Sequence, residues 1–140
     1  MKKRFLIIFL LAFFITTVQA SEWKEYNTKS YIDVSSIEKL DNESFKKNDL
    51  IYSFWIKMLN DKSPYFIDLE KNYNKKIWYS MDKLLINCKN KTIAVKSSIF
   101  YDLKGYSIDS YDISNQILLR WNSIAPDSRG EALYYGICSP

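Results

Sequence analysis

The chain has 140 residues, of which 47% are hydrophobic and 16% aromatic, and its formal net charge is +4. Lys2, Lys3 and Arg4 precede a long apolar stretch, and the rest of the chain carries 17 basic residues (20 less these 3) against 16 acidic ones. This near balance argues against a nucleic-acid-binding protein, which needs a strongly basic surface.

The first element in the chain is typical of a secretory signal peptide. The basic start runs into an uninterrupted apolar stretch from Phe5 to Ile15, and Val18-Gln19-Ala20 forms a small-residue cleavage site. We expect cleavage after Ala20, which leaves residues 21–140 as one domain. An uncleaved segment that serves as an anchor is the alternative. No later segment approaches the roughly 20 apolar residues of a membrane span.

The export signal sets the expected location, which is the periplasm, the cell surface or the extracellular medium. Ser21 follows the cleavage site at the position where a lipid-anchored protein has a cysteine, so we expect no lipid anchor there. Exporting compartments are oxidising, and this bears on the two cysteines of the chain.

Period-two alternation of apolar and polar residues predicts that strands dominate the domain. The predicted strands, in chain order, are 31–37, 52–58, 83–89, 92–101 and 106–111. Phe54 and Ile56 lie on one strongly apolar face of the second strand, and Trp55 lies on the other. One face of the fourth strand is expected to hold four apolar side chains: Ile93, Val95, Ile99 and Tyr101.

Short polar segments connect these strands. Residues 42–49 are polar and charged and are predicted to form a loop. Lys89-Asn90-Lys91 suits an antiparallel hairpin, and Asp102-Leu103-Lys104-Gly105 predicts a second turn.

Two helices are predicted from their start signals. Ser63-Pro64 offers an N-cap followed by proline at the first helical position, and an apolar face follows it: Phe66, Leu69 and Tyr73. After Pro126, the segment Ser128-Arg129-Gly130-Glu131 has the pattern of a capping box. The helix that it starts carries its apolar residues four apart: Leu133 with Ile137, and Tyr134 with Cys138.

The two cysteines, Cys88 and Cys138, are predicted to form one structural disulfide. Cys88 shares a strand face with Leu84 and Ile86, and Cys138 lies on the apolar face of the last helix, so both thiols point towards one core. A bridge between residues 88 and 138 closes a long loop, and the chain-entropy estimate of its stabilisation is about 4 kcal/mol. The alternative is a redox or nucleophilic cysteine, but the sequence has neither Cys-x-x-Cys spacing nor histidine.

No combination of residues predicts catalysis or cofactor binding. The absence of histidine removes the commonest general base and metal ligand, and three scattered glycines cannot form a phosphate-binding loop. Asp109 and Asp112 are expected to be solvated acids beside a turn, because their spacing is not that of a calcium loop. We therefore predict no catalytic residues, no cofactor and no metal ligands, and a carboxylate-only hydrolase is the least favoured class.

Basic residues next to aromatic ones are the candidates for partner contact. Lys46-Lys47 follows Phe45, and Lys75-Lys76 precedes Trp78, so either pair can hold an acidic polysaccharide or a protein partner. Solvated lysines are the alternative. Trp55 is either an exposed contact residue or packed beneath a helix or loop. The sequence leaves the identity of the partner-binding residues unknown.

A series of short motifs runs through residues 21–140. Its members, in chain order, are Tyr31-Ile32-Asp33, Ile37, Trp55, Asn87-Cys88-Lys89, Tyr101-Asp102, Gly105, Trp121, Ile124-Ala125-Pro126-Asp127-Ser128, Glu131 and Cys138. This order resembles the surface-adhesin protein E-like family of small exported bacterial proteins, over almost the whole predicted domain. The most specific part is the tryptophan followed by Pro-x-Ser and the terminal cysteine.

The resemblance implies an α+β fold, in which an antiparallel sheet of about six strands carries a C-terminal helix on one face, tethered by a disulfide. It also implies a non-enzymatic, adhesin-like binding protein whose partners are host extracellular-matrix or plasma proteins. The alternative function is a periplasmic structural or stress-related envelope protein of unknown partner. An exposed sheet edge can also pair with a second copy, so a homodimer is a further expectation.

Overall fold

The computed structural model describes residues 20–41, 45 and 48–139. The predicted signal peptide at residues 1–20 lies outside the described residues except for Ala20, and so does most of the predicted loop at 42–49. Cleavage after Ala20 and the domain start at Ser21 therefore stay predictions.

An antiparallel sheet, in which the six main strands follow one another in sequence order, forms the body of the molecule. These strands are β1 (Trp23–Asn27), β2 (Ser30–Lys39), β3 (Ile51–Leu59), β4 (Ile77–Asn87), β5 (Thr92–Asp102) and β6 (Ser107–Asp112). A two-residue strand, β7 (Asn122–Ser123), pairs with the start of β5. The expected sheet is confirmed, with β7 as a short seventh strand.

β5 contains a bulge that the sequence does not predict. Between Val95 and Ser97 it has one extra residue, Lys96, that has no partner on β4. The two apolar residues beyond the bulge, Ile99 and Tyr101, therefore face away from Ile93. The prediction that they share one face with Ile93 and Val95 is wrong, because one inserted residue reverses the facing of every later side chain.

Two helices, α1 (Pro64–Tyr73) and α2 (Arg129–Cys138), lie on the same face of the sheet. The ring of Tyr73 in α1 packs 5.8 Å from the ring of Phe100 on β5. Leu133 of α2 packs in one cluster with Phe54, and the strand register places Phe54 and Phe100 on one face. We call this the helix face and its reverse the outer face. Across the described ranges no helix combines the length and the apolar character that crossing a membrane requires.

Both helices begin where the sequence predicts. Pro64 is the first residue of α1, directly after Ser63. At the start of α2 the Ser128 hydroxyl accepts a hydrogen bond from the Glu131 N–H at 3.2 Å. The Glu131 carboxylate accepts from the N–H of Asp127 at 2.8 Å, one residue earlier than in a standard capping box. These bonds satisfy backbone donors that the helix itself leaves unpaired.

The apolar side chains divide between the two faces of the sheet. The core of the helix face consists of Ile32, Phe54, Ile56, Leu84, Ile86, Cys88, Ile124 and Leu133. A smaller cluster on the outer face consists of Ile51, Leu85, Ala94 and Leu119, with Leu40, Phe45, Ile113 and Trp121 packed against it. The segments before β3 and after β6 thus cover one end of the outer face.

The predicted disulfide joins Cys88, directly after β4, to Cys138 in the last turn of α2. The two Cα atoms are 5.5 Å apart. Nearby, the hydroxyl of Tyr134 donates a hydrogen bond to the carbonyl of Cys88 at 3.3 Å. The end of α2 is therefore held to the sheet by a covalent bond and by packing, as the sequence predicted.

Candidate functional site

Aromatic and basic side chains form a patch on the part of the outer face that the smaller cluster leaves uncovered. The register places these residues side by side on β2, β3, β4 and β5. Each of them is partly exposed. We call this set the open patch: Tyr31, Trp55, Lys57, Tyr79, Met81, Lys83, Ile99 and Tyr101.

Strand alternation and the bulge in β5 together produce the open patch. Residues two apart on β4 share a face, which brings Tyr79, Met81 and Lys83 onto the outer face. Tyr101 lies opposite Tyr79 only because the bulge has shifted the facing of β5. Without that extra residue Tyr101 would lie among the helix-face side chains.

Tyr79 lies at the centre of a stacked group within the patch. Its ring is parallel to that of Tyr101, with centroids 4.5 Å apart and an interplanar angle of 16°. The ammonium of Lys57 lies 4.5 Å from the centroid of the Tyr79 ring, within cation–π range. Partial burial, with Tyr101 beside it, raises the pKa of Tyr79. These contacts hold the rings in place and leave less side-chain entropy to be lost on binding.

The charge of the open patch is positive. Its two charged residues are Lys57 and Lys83, on the outer face of β3 and β4. On the β1–β2 side of the patch, Asp33 lies opposite Trp55 and Glu25 opposite Tyr31 on the same face. The Asp33 carboxylate is buried and accepts hydrogen bonds from the Ser35 hydroxyl and the Glu22 N–H. The two ammonium groups are surrounded by aromatic and apolar side chains. Such a surface complements a partner that is acidic and also offers apolar contact area.

Trp55 is the residue of the open patch that the sequence singled out as a candidate contact. It is partly exposed on the outer face, whereas the two α-helices, α1 and α2, lie on the helix face. The sequence does not mark Tyr79 or Tyr101 as a contact residue, because its pattern predicts a β4 that starts at residue 83 and places Tyr101 on the same face as Ile93. The aromatic and β-branched residues of 77–81 were the available signal for a longer β4.

The predicted basic pair Lys75-Lys76 does not form part of the open patch. Lys75 and Lys76 are exposed in the connection between α1 and β4, and the Lys76 ammonium pairs with the Glu70 carboxylate at 2.8 Å. Lys46 and Lys47 lie outside the described residues. Their expected role in partner contact stays a prediction.

The acidic residues and cysteines offer no assembled metal site in the described ranges, since no three of them lie close enough to share an ion. Asp109 is exposed on β6, and its carboxylate accepts a hydrogen bond from the Tyr73 hydroxyl at 2.8 Å. Asp112 is also exposed on β6. Both cysteines are used in the disulfide.

Sequence and structure comparisons point in one direction. The profile of the family described as surface-adhesin protein E matches residues 18–139 of the chain. Among curated proteins none matches the sequence.

Two solved structures of Haemophilus influenzae protein E are similar in fold. Crystal form II of that protein has a TM-score of 0.53 and 21% sequence identity, over 81% of this chain and 82% of that one. The other structure has a TM-score of 0.51 and 24% identity, over 81% of this chain and 79% of that one. At this level of identity the similarity concerns the fold.

Proposed function

The chain belongs to the surface-adhesin protein E family, and from this membership we propose that it is an exported, non-enzymatic protein that binds a host extracellular-matrix or plasma protein. We further propose that the open patch is the surface that makes this contact. The observation that carries the proposal is the partly exposed group of Trp55, Tyr79 and Tyr101 with two lysines among them.

Aromatic side chains supply the apolar part of the proposed contact. Tyrosine and tryptophan are enriched at protein interfaces and often dominate binding energy, because they bury a large area at low entropic cost. Tyr79 and Tyr101 are already stacked, so a partner meets a surface that needs little rearrangement.

The lysines supply the electrostatic part of the contact. With Lys57 and Lys83 as the charged residues of the patch, an acidic segment of a folded protein is the matching partner. Binding through these charges should weaken as salt is raised, because exposed charges are screened over a Debye length of about 8 Å at physiological ionic strength.

The experiment is a binding array of purified extracellular-matrix and plasma proteins, probed with residues 21–140. The test variant carries Lys57→Glu and Lys83→Glu. Its matched control carries Lys89→Glu and Lys104→Glu, which makes the same change in net charge on exposed lysines away from the patch. We expect the wild type and the control to bind the same array member, and the patch variant to bind it at least about tenfold more weakly.

Two outcomes would contradict the proposal. One is a wild-type protein that binds no member of the array. The other is a patch variant that binds as tightly as the wild type. The proposed surface location has its own test, since protease added to intact cells should cleave the protein. Full protection from the protease would place the protein in the periplasm instead.

A further inference from the structure

A cleft of about 410 Å³ lies on the helix face, between the starts of α1 and α2. Aromatic rings reach it from three different elements: Tyr26 on β1, Tyr65 on α1 and Tyr111 on β6. Its walls also include the apolar side chains of Met58, Leu84 and Leu133. A concave, mainly apolar site with a few convergent polar groups is the usual form of a small-ligand pocket.

Asp82 lies on the floor of the cleft and is 3% exposed. One carboxylate oxygen accepts a hydrogen bond from the Ser80 hydroxyl at 3.0 Å. The other accepts from the Ser98 hydroxyl. Since Ser98 donates its one proton to Asp82, the Tyr111 hydroxyl, 3.1 Å from the Ser98 oxygen, is the donor of that bond.

The carboxyl of Asp82 has no counter-charge from the described part of the chain. None of the ion pairs within 4.0 Å found there includes Asp82. Arg129 lies at the cleft wall, but its guanidinium pairs with Asp61. Buried carboxylates are normally paired with a cation, and two hydroxyl donors leave acceptor positions on Asp82 unfilled.

We propose that the cleft binds a small aliphatic ammonium ion, with the ammonium group on Asp82 and the carbon chain against the apolar walls. A primary ammonium has three N–H donors, which suits the carboxylate and the neighbouring hydroxyl oxygens of Ser98 and Tyr111, both of which line the cleft. The surrounding tyrosine rings favour a cation. The same chemistry is found in a free alkylamine and in a lysine side chain of a partner protein.

The binding should depend on the protonation of Asp82. Burial raises the pKa of Asp82, so its carboxyl takes up a proton at a higher pH than an exposed aspartate does. The other titratable or charged groups that face it are Tyr26 from β1, Tyr65 from α1, Tyr111 from β6 and Arg129 from α2. Tyrosine and arginine side chains ordinarily titrate above about pH 9. We therefore expect any loss of ammonium binding in acid to follow the protonation of Asp82.

The probes are hexylammonium chloride, 1-hexanol and the N-methylamide of Nα-acetyllysine, each titrated into residues 21–140 and followed by calorimetry and by amide NMR shifts. We expect hexylammonium to bind and to shift the amide signals of Asp82 and Ser98, and hexanol to bind at least about tenfold more weakly. Binding of the lysine derivative as well would assign the site to protein side chains, and its failure to bind would assign the site to free amines. Equal binding of hexanol and hexylammonium would overturn the proposal.

The variants are Asp82→Asn, which keeps the shape of the side chain and removes its charge, and Asp112→Asn, a matched change at an exposed aspartate on β6. Hexylammonium binding should fall at least about tenfold in Asp82→Asn and stay unchanged in Asp112→Asn. A third variant, Val95→Phe, narrows the cleft at a wall residue that is 39% exposed and should weaken binding without altering charge. Wild-type affinity in Asp82→Asn would contradict the proposal.

A separate stability measurement shows whether Asp82→Asn is folded and whether the buried carboxyl behaves as described. In the wild type, a raised folded pKa gives a stabilising contribution that is present in acid and is lost as the pH rises through that pKa. The unfolding free energy of Asp82→Asn should not show this fall with rising pH, because asparagine has no titrating carboxyl. Because the cleft and the open patch lie on opposite faces, loss of hexylammonium binding would leave array binding intact, and the two proposals fail separately.

Discussion

Phe54 and Trp55 are neighbours in β3 but lie in opposite environments. Phe54 is 0% exposed on the helix face, in the core that α2 covers. Trp55 is partly exposed on the outer face, among the residues of the open patch. An aromatic residue on the helix face contributes its area to folding, whereas one on the outer face keeps part of its area for a partner.

The helix face itself has two parts. Beneath α2 it is apolar and is closed by the Cys88–Cys138 bond. Between the helix starts it buries three polar side chains: Ser80, Asp82 and Ser98. Burying a carboxyl opposes folding unless it is fully paired. The apolar part beneath α2 must therefore offset the free energy that the buried carboxyl costs.

Of the variants that test this comparison, the one without the disulfide is expected to lose the most unfolding free energy. The double variant Cys88→Ser and Cys138→Ser should lose about 4 kcal/mol of unfolding free energy, because the unfolded chain regains the freedom of a long loop. The measurement is urea unfolding followed by circular dichroism. Wild-type protein treated with a thiol reductant should show the same loss, and an unchanged midpoint in either sample would refute a tethering role.

Phe54→Ala and Trp55→Ala compare the two faces within one strand. Phe54→Ala should cost at least about 3 kcal/mol, since it leaves a cavity in the closed core. Trp55→Ala should cost less than half as much, because its side chain is partly exposed. Thermal and urea unfolding measure both, and similar losses in the two variants would show that the faces do not differ as described.

The ion pair between Arg129 and Asp61 joins the start of α2 to the segment before α1. Hydrogen bonds from Ser63 and Arg129 hold the pKa of Asp61 well below its ordinary value. The pair therefore stabilises the fold above the ordinary aspartate pKa of about 4, and this contribution is lost as the pH falls.

Arg129→Gln should accordingly reduce the unfolding free energy by about 1 kcal/mol at neutral pH, a value that allows for partial solvent exposure of the pair. The difference from wild type should shrink below about pH 4, and unfolding curves at several pH values measure it. Arg120→Gln, at an exposed position, is the control and should be neutral. A difference that grows in acid would contradict the assigned pair.

The smallest expected effect on stability is that of the patch variant Lys57→Glu with Lys83→Glu. Surface charge changes of this kind usually alter unfolding free energy by less than about 0.5 kcal/mol. Calorimetric unfolding of this variant and of the Lys89→Glu, Lys104→Glu control should therefore give nearly the same midpoint. A large loss in the patch variant alone would mean that weaker array binding reflects unfolding.

Much of the fold could be predicted from the sequence, because its signals are local. The apolar alternation around Phe54, the proline after Ser63 and the cap at Ser128 each specify one element from a few neighbouring residues. The disulfide followed from there being only two cysteines in a chain whose first residues predict export.

The open patch and the cleft could not be predicted in the same way. The patch depends on the bulge after Val95, which brings Tyr101 beside Tyr79 and arises from pairing with β4. The cleft depends on Asp82 lying between two helices from distant parts of the chain. A lone aspartate in a strand carries no sign of its burial, since burial is set by what packs over it.

The claim that the partner binds the outer face and leaves the helix face free is tested most directly by hydroxyl-radical footprinting. The protein is compared free and bound to the array member that it captures. Binding should reduce oxidation of Trp55, Tyr79 and Met81, which lie in the open patch. Oxidation of Tyr111 and Tyr135, exposed on β6 and α2, should stay unchanged. Protection of Tyr111 and Tyr135, with Trp55 and Tyr79 still oxidised at the free rate, would contradict the account.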